Sequence, residues 1–498
     1  MSFESGKITL EVEWAFTKWT VKTGTVLEGA GFIIDILPSN GGVEDKGATN
    51  TKIVVTYKSN SSNIRNSQEL VLRSPDNSLT QTIVINQTAK PVIHTNITVN
   101  PETTYQTISG FGGAAIWHAL PLSDSHIQNL LGTGENDLGL SIVRVRIAPN
   151  ENDWTNEVSM LQKMETYGVK ILASPWSPPG KWKENTQTNP LINGHLKEDN
   201  YADYAAYLNR YVEEMATENI VIDAISIQNE PDWKADYESC EWTPAQLFNF
   251  VRDHAHAIKN TKVVASESLS FNVAYTDPIL NDPVAVENIH IVGGHLYANR
   301  IPTPYTLAEQ KGKEIWMTEY LLNRPTGQGA LTPEVWATLS EKVIWDETIE
   351  MLDGIHLSMA SNWHAYIYWY MRRYYAFLGD GTGGTVNGEI LKRGYAFSHF
   401  SKFVRPGYER INLGMENNAA GLKITAYKGD NKIVAVILNT SNSPVYGVNF
   451  LNAQNITSAE MYTTSEFVNR EAEPLTPEDN KVTLDLASRS VTTVVMQF

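Results

Sequence analysis

Asp223-Ala-Ile-Ser-Ile-Gln-Asn-Glu-Pro231 is the stretch whose reading decides the fold. Ala224, Ile225 and Ile227 read as a buried strand that carries no charge until it stops at Asn229, Glu230 and Pro231. Proline cannot donate to a sheet ladder, so Pro231 ends the strand and fixes the turn. Glu314-Ile-Trp-Met-Thr-Glu319 has the same form, a short apolar strand ending in a glutamate. Carboxylates at the C-terminal tips of apolar strands are where a (β/α)8 barrel keeps its reactive groups.

Working outward, apolar strands alternate with helical patterns from about residue 107 to 399, as in a parallel barrel. The eight candidate strands are 107–114, 141–147, 170–175, 223–230, 262–267, 290–297, 314–319 and 365–371. Glu230 then ends the fourth strand and Glu319 the seventh. Residues 201–217 and 244–259 are the clearest helices, the second with Thr243 as N-cap and Pro244 at its first position. The flanks alternate with period two. Residues 1–92, with Ile8-Thr-Leu-Glu-Val-Glu and Thr82-Ile-Val-Ile-Asn, predict a separate immunoglobulin-like all-β sandwich. Residues 400–498 alternate again and predict a second β domain, and Ala89-Lys-Pro-Val-Ile-His is the joint after the first.

The chain has 498 residues and a net charge of −17, which argues against nucleic acid and anionic membranes as partners but says nothing of neutral polymers. No apolar run reaches the roughly 20 residues needed to span a bilayer. No basic start precedes an apolar core, so no signal segment is expected here. Cys240 is the only cysteine, which excludes an intrachain disulfide, and it reads as a loop thiol. No histidine pair stands at zinc-ligand spacing, and Gly381-Thr-Gly-Gly lacks the Lys-Ser/Thr of a phosphate loop, so neither metal nor cofactor is expected.

Two glutamates on two strand tips are the minimum equipment for cleaving a glycosidic bond. One must be protonated to donate to the leaving oxygen, and the other ionised to attack the anomeric carbon. Other strand tips extend the site. Asn229 stands beside the acid, where it can bond a sugar hydroxyl. Arg144, on the second strand, can hold a carboxylate ionised, although an ordinary barrel ion pair would place it similarly. His295 and Tyr297, after the sixth strand, are placed to orient the nucleophile. Trp117, Trp176 and Trp369 are candidate sugar platforms. Trp369 and Tyr370 are adjacent on the eighth strand, so alternation predicts a core role for one of them.

Gly110-Phe-Gly-Gly, Ser226-Ile-Gln-Asn-Glu-Pro-Asp, Trp316-Met-Thr-Glu, Trp369-Tyr-Met-Arg-Arg and Lys392-Arg-Gly-Tyr-Ala-Phe-Ser-His-Phe-Ser-Lys-Phe-Val-Arg-Pro-Gly-Tyr together resemble glycoside hydrolase family 30, most nearly its bacterial glucuronoxylan-specific xylanases. The resemblance covers roughly residues 95–498. It implies a (β/α)8 TIM barrel fused to a side β-sandwich built mainly from residues 400–498, with its first strand or strands from residues 93–106, and retaining endo-1,4-β-xylanase action with Glu230 as acid/base and Glu319 as nucleophile. It implies that Arg373 and Tyr375 grip the glucuronic acid branch of xylan, and a guanidinium fork suits a carboxylate. One departure follows the nucleophile: relatives carry an aromatic two residues on, where this chain has Leu321. Asn323 or Arg324 then substitutes, or the grip is looser. Another departure is the length of the loop 233–241.

Other activities of the family (general endo-xylanase, β-xylosidase, β-1,6-glucanase or galactanase) and a non-catalytic surface glycan-binding protein are the alternatives. Residues 1–92 also resemble the BACON module of glycan-degrading bacterial proteins, which implies either glycan binding or, the reading preferred here, a spacer. The expected partner is xylan, the expected state a monomer, and the expected place outside the cell or on the bacterial surface.

Overall fold

A computed structural model describes residues 2–62, 64–90, 95–184, 187–324, 330–452 and 456–498. The chain divides into two compact units, Met1–His94 and Thr95–Phe498. The joint expected at 89–94 falls mostly on residues 91–94, outside the described residues.

In the second unit all eight expected strands form and close into a parallel barrel. They are β1 (Gly110–Ala114), β2 (Ile142–Ile147), β3 (Lys170–Pro175), β4 (Ala224–Ser226), β5 (Lys262–Ser268), β6 (Ile291–His295), β7 (Glu314–Glu319) and β8 (Ala365–Tyr370). Gly112 in β1 is required by closeness, because a Cβ there would lie 2.0 Å from the carbonyl oxygen of Ile142. The barrel is filled in layers. Ile142, Leu172, Ala224, Val264, Ile291, Trp316, Ala365 and Ile367 form one buried apolar plug. Two residues further along β2, β3, β4, β5 and β7, on the same faces, stand Arg144, Ser174, Ser226, Ser266 and Thr318, all buried. The layer above the plug thus holds four small hydroxyl groups and one arginine, with Ser174 accepting from Arg144 Nε at 3.2 Å.

Two boundaries differ from the sequence reading. The strand before the barrel runs Thr95–Thr107, so β1 starts at Gly110 rather than at 107. The fourth strand ends at Ser226, so Glu230 stands in the turn beyond it, with φ +46°. Left-handed backbone at a glutamate is costly and is held here by its surroundings. Helix Tyr201–Thr217 matches its expected limits. The helix expected at 244–259 is Pro244–Asp253, opened by a Thr243 capping box with Pro244 in the first turn.

The side β domain is a nine-stranded sheet in continuous hydrogen-bonded order. Strand Thr95–Thr107 pairs antiparallel with Glu409–Glu416 and parallel with Val445–Asn452. Phe450 and Val482 at one end of the strand order share a single core with Ala459 and Met496 at the other, so the sheet folds over on itself. The first unit is all-β, with a three-stranded and a four-stranded sheet around Trp19, Val21, Phe32, Ile53, Val55 and Leu70. Among the described residues no helix is long and apolar enough to cross a membrane.

Candidate active site

Arg144 organises the mouth of the barrel. It is fully buried. Its Nη1 donates to Glu319 Oε2 at 2.5 Å and its Nη2 to Asn229 Oδ1 at 2.7 Å, while Nη2 also lies 3.3 Å from Glu267 Oε1. The guanidinium additionally sits 4.7 Å from the centre of the Trp176 ring. Asn229, expected beside a sugar hydroxyl, thus spends its carbonyl on Arg144.

Glu230 is held at both oxygens. His295 Nδ1 lies 2.9 Å from Oε1, and the Tyr237 hydroxyl donates to Oε2 at 3.2 Å. His295 was expected on the nucleophile. Its ring nitrogen instead reaches the opposite carboxyl, because a register shift follows Gly294 and redirects the end of β6. Tyr297 is the residue that touches Glu319, donating to Oε1 at 2.8 Å. One oxygen of Glu230, one of Glu319 and a ring nitrogen of His295 all lie within 4.8 Å of one another. That spacing would also admit a metal ion, but the direct Arg144 contact on Glu319 disfavours a second cation there.

Burial pushes the carboxyl of Glu230 up to about 7, against the opposing pull of Arg144 and the Tyr237 hydrogen bond. Burial also raises Glu319, opposed by His295, Arg144 and the Tyr297 hydroxyl. Only Glu319 has a guanidinium in direct contact, so the first proton to leave the pair leaves Glu319. The resulting charge keeps the proton on Glu230. Glu267 is different again: against burial, Arg144 holds it below the usual carboxylate range. His295 is lowered by burial. The contacts therefore favour the charge on Glu319 and Glu267, beside one buried cation, and the proton on Glu230.

The carboxyls open into a cavity of about 500 Å3 lined by Trp117, His118, Trp176, Trp233, Tyr237, Tyr297, Leu321, Trp369 and Tyr370. Trp176 stands 5.1 Å from Trp117 and 5.8 Å from Trp369 between ring centres. Alternation predicted a core role for Trp369 or Tyr370. Both line the cavity, because the ladder between β8 and β1 shifts register between Tyr368 and Tyr370.

Arg373 and Tyr375 do not line this cavity. Arg373 Nη1 donates to Asp380 Oδ2 at 2.8 Å, and its guanidinium lies 5.1 Å from the Tyr374 ring centre. Tyr375, expected to grip the uronic acid branch, is 7% exposed and lines a neighbouring cavity of about 260 Å3 with Trp336 and Tyr374. The helix Lys392–Ser401 explains the burial. Its Arg393 donates to the carbonyl of Tyr375 at 2.8 Å, to that of Leu322 at 2.7 Å and to Glu347 at 2.7 Å, tying the loops after β7 and β8 together. Neither substitute proposed for Leu321 is free. Asn323 donates to the Leu331 carbonyl and the Tyr374 hydroxyl, both at 3.1 Å, and Arg324 Nη2 donates to Asn299 at 3.2 Å.

Sequence reasoning missed Glu267 and Tyr237. Lys262-Val-Val-Ala-Ser-Glu267 carries the same signal as the two quoted strands, an apolar run ending in a glutamate. Nothing in the sequence points to Tyr237, because its loop has no periodicity to read.

Comparison with known proteins agrees with this fold. The model of the "Glycosyl hydrolase family 30 TIM-barrel domain" matches residues 135–353. Glucuronoxylanase XynC of Bacillus subtilis (strain 168) is 37% identical over 410 residues, 80% of this chain and 92% of that protein. Two crystallised relatives cover 81% of this chain and all of their own: a GH30 endoxylanase from Clostridium papyrosolvens C71 (34% identity, TM-score 0.69) and the subfamily 8 xylanase Xyn30A from Clostridium acetobutylicum (32%, 0.70).

Proposed function

The chain belongs to glycosyl hydrolase family 30, and from that membership we propose that it is a retaining endo-1,4-β-xylanase acting on glucuronoxylan. The observation that carries the reading is the carboxyl pair, with oxygens within 4.8 Å and only one partner on a guanidinium. Retaining glycosidases hold their carboxyls about 5–5.5 Å apart, and inverting ones about 6.5–9.5 Å. Glu230 gives its proton to the leaving xylose oxygen while Glu319 attacks the anomeric carbon and forms a xylosyl-enzyme. Glu230, now a carboxylate, takes a proton from the incoming water, which displaces Glu319 with net retention. Glu319→Gln removes the nucleophile at constant shape. Turnover is expected to fall by roughly a thousandfold or more, while the melting temperature at pH 5 stays near that of the parent; a variant that still turns over refutes the assignment. A polymer too large to cross a membrane puts the place of action outside the cell.

Cleavage is directed by the uronic acid branch, with Arg373 as the cation offered to it. A second reading, a general endo-xylanase, is favoured by the Asp380 carboxylate already on Arg373 and by the buried Tyr375. Hydrolysis of glucuronoxylan beside a xylan stripped of its branches separates them. The first reading expects cutting of the branched polymer alone, with one uronic acid on every product by mass. Equal cutting of both polymers selects the second.

A further inference from the structure

Strand β2 carries another arginine two positions beyond Arg144, on the same face of the strand. Arg146 grips Glu238 with two hydrogen bonds, Nε to Oε1 at 3.0 Å and Nη2 to Oε2 at 2.5 Å. The two side chains are only 21% and 14% exposed, so the pair is less screened than one on the open surface. Glu238 directly follows Tyr237, the residue on Glu230. Ser239 is held too: its carbonyl accepts from Lys183 Nζ at 2.6 Å, and its hydroxyl donates to the carbonyl of Tyr237 at 2.9 Å. Between Pro231 and Thr243 the chain has no helix, and its only strand-like pairing is an isolated bridge from Glu238 to Ile192. Backbone bonds from Ser239 to the Leu191 carbonyl at 3.0 Å and from Glu241 to the Gly194 carbonyl at 2.8 Å hold the far side of the loop, and the side-chain anchors act with them to place Tyr237.

We propose that Arg146 and Glu238 form a clamp that holds the Tyr237 hydroxyl on Glu230, making Tyr237 a positioning residue for the acid/base. The inference rests on the reading of Glu230 as that group. The chemistry balances without any new bond. The tyrosine hydroxyl donates to Oε2 throughout, and that bond strengthens once the proton has passed to the glycosidic oxygen and the carboxyl is charged. Burial and the nearby charge of Glu230 push the phenol's own ionisation far up, so it keeps its proton throughout.

Glu230 is faced by Arg144 from β2, Glu267 from β5, His295 and Tyr297 from β6 and beyond, Glu319 from β7, and Asp232 and Tyr237 from its own loop. Arg146 is faced by Glu157 and Tyr207 besides Glu238. Of the groups at Glu230, Arg144 and Tyr237 favour the charged form. Removing the Tyr237 hydroxyl therefore raises the pH at which the acid loses its proton.

The test is the pH dependence of kcat/KM on glucuronoxylan for the parent, Tyr237→Phe, Glu238→Gln and the double variant. The alkaline limb of Tyr237→Phe is expected to move up by about half a pH unit or more. Glu238→Gln is expected to move it the same way, and the double variant no further than Tyr237→Phe alone. A limb that stays in place in Tyr237→Phe, with only KM or melting temperature changed, overturns the proposal; so do shifts that add. Glu230→Ala on an activated aryl xylo-oligosaccharide, whose leaving group departs without a proton, separates the two levels. If Glu230→Ala keeps the parent's alkaline limb, the acid/base reading itself falls. If it erases the limb while Tyr237→Phe leaves it unmoved, only the clamp falls.

Discussion

Glu230 keeps its proton at a cost that the folded chain carries. Burial raises its carboxyl from 4.5 to about 7, so the native state binds the proton more tightly than the unfolded state. Stability from this group is therefore fully present below about pH 4.5 and is lost as pH rises through about 7. Glu230→Gln removes the titration at nearly constant shape. It is expected to melt with the parent at pH 4 and above it at pH 8, by an amount on the order of 3 kcal/mol; thermal melts at the two pH values check this. With Glu230 as the proposed acid, the same titration sets the activity: kcat/KM is expected to fall as pH rises through about 7. Arg144 shows the opposite dependence on a neighbour. Arg144→Met leaves Glu319 and Glu267 charged and unpaired in the barrel, which is expected to cost about 3–5 kcal/mol in chemical denaturation. At this scale the sequence was readable where a charge interrupts an apolar strand, as at Glu230, Glu319 and Arg144. It put both His295 and Tyr297 on Glu319; Tyr297 is there, but His295 meets Glu230, through a register shift that leaves no mark in residue type.

At the scale of the element, strand existence was legible and strand endings were not. Periodicity and apolar runs located all eight barrel strands, because each is buried on both faces. The endings are irregular: Glu230 and Glu267 both have φ +46°, and β5, β6 and β8 each shift register near the mouth. Simple alternation fails there, which is why Trp369 and Tyr370 both face the cavity. The aromatic floor is consequently built from residues of unequal structural weight. Trp117 is 38% exposed and stands on a short turn after β1, whereas Trp176 is 2% exposed beneath the Arg144 guanidinium. Trp117→Ala is expected to weaken binding of a xylo-oligosaccharide by roughly tenfold, as an exposed aromatic platform lost on one side, with little change in melting temperature. Trp176→Ala is expected to lose about 3–5 kcal/mol of stability as well, the usual cost of deleting a buried aromatic. Calorimetric titration beside thermal melts separates the two, and equal destabilisation by both substitutions would mean that Trp117 is packed into the core.

At the scale of the whole molecule, the boundary that matters lies at Thr95. The first unit has its own sheets and its own apolar core around Trp19, Phe32 and Ile53. Strand Thr95–Thr107 belongs energetically to the far end of the chain. Ile97 and Val99 are buried in the side-domain core, the strand is hydrogen-bonded on both edges, and Gln106 donates to the carbonyls of Met359 and Trp363 at 2.7 and 3.0 Å. Composition could suggest that a β strand precedes the barrel. Its pairing with strands more than 300 residues away is a tertiary fact that no local pattern encodes. If residues 1–94 act as a spacer, a chain beginning at Thr95 is expected to fold and to cut soluble glucuronoxylan at the parent's rate. A chain beginning at Gly110 would expose the edges of Glu409–Glu416 and Val445–Asn452 and open the core at Ile97 and Val99. It is expected to aggregate or to melt well below the longer form. Equal stability of the two truncations would show that the side domain closes without its first strand. A parent that outpaces the 95–498 chain on soluble xylan would show that the first unit handles the substrate itself.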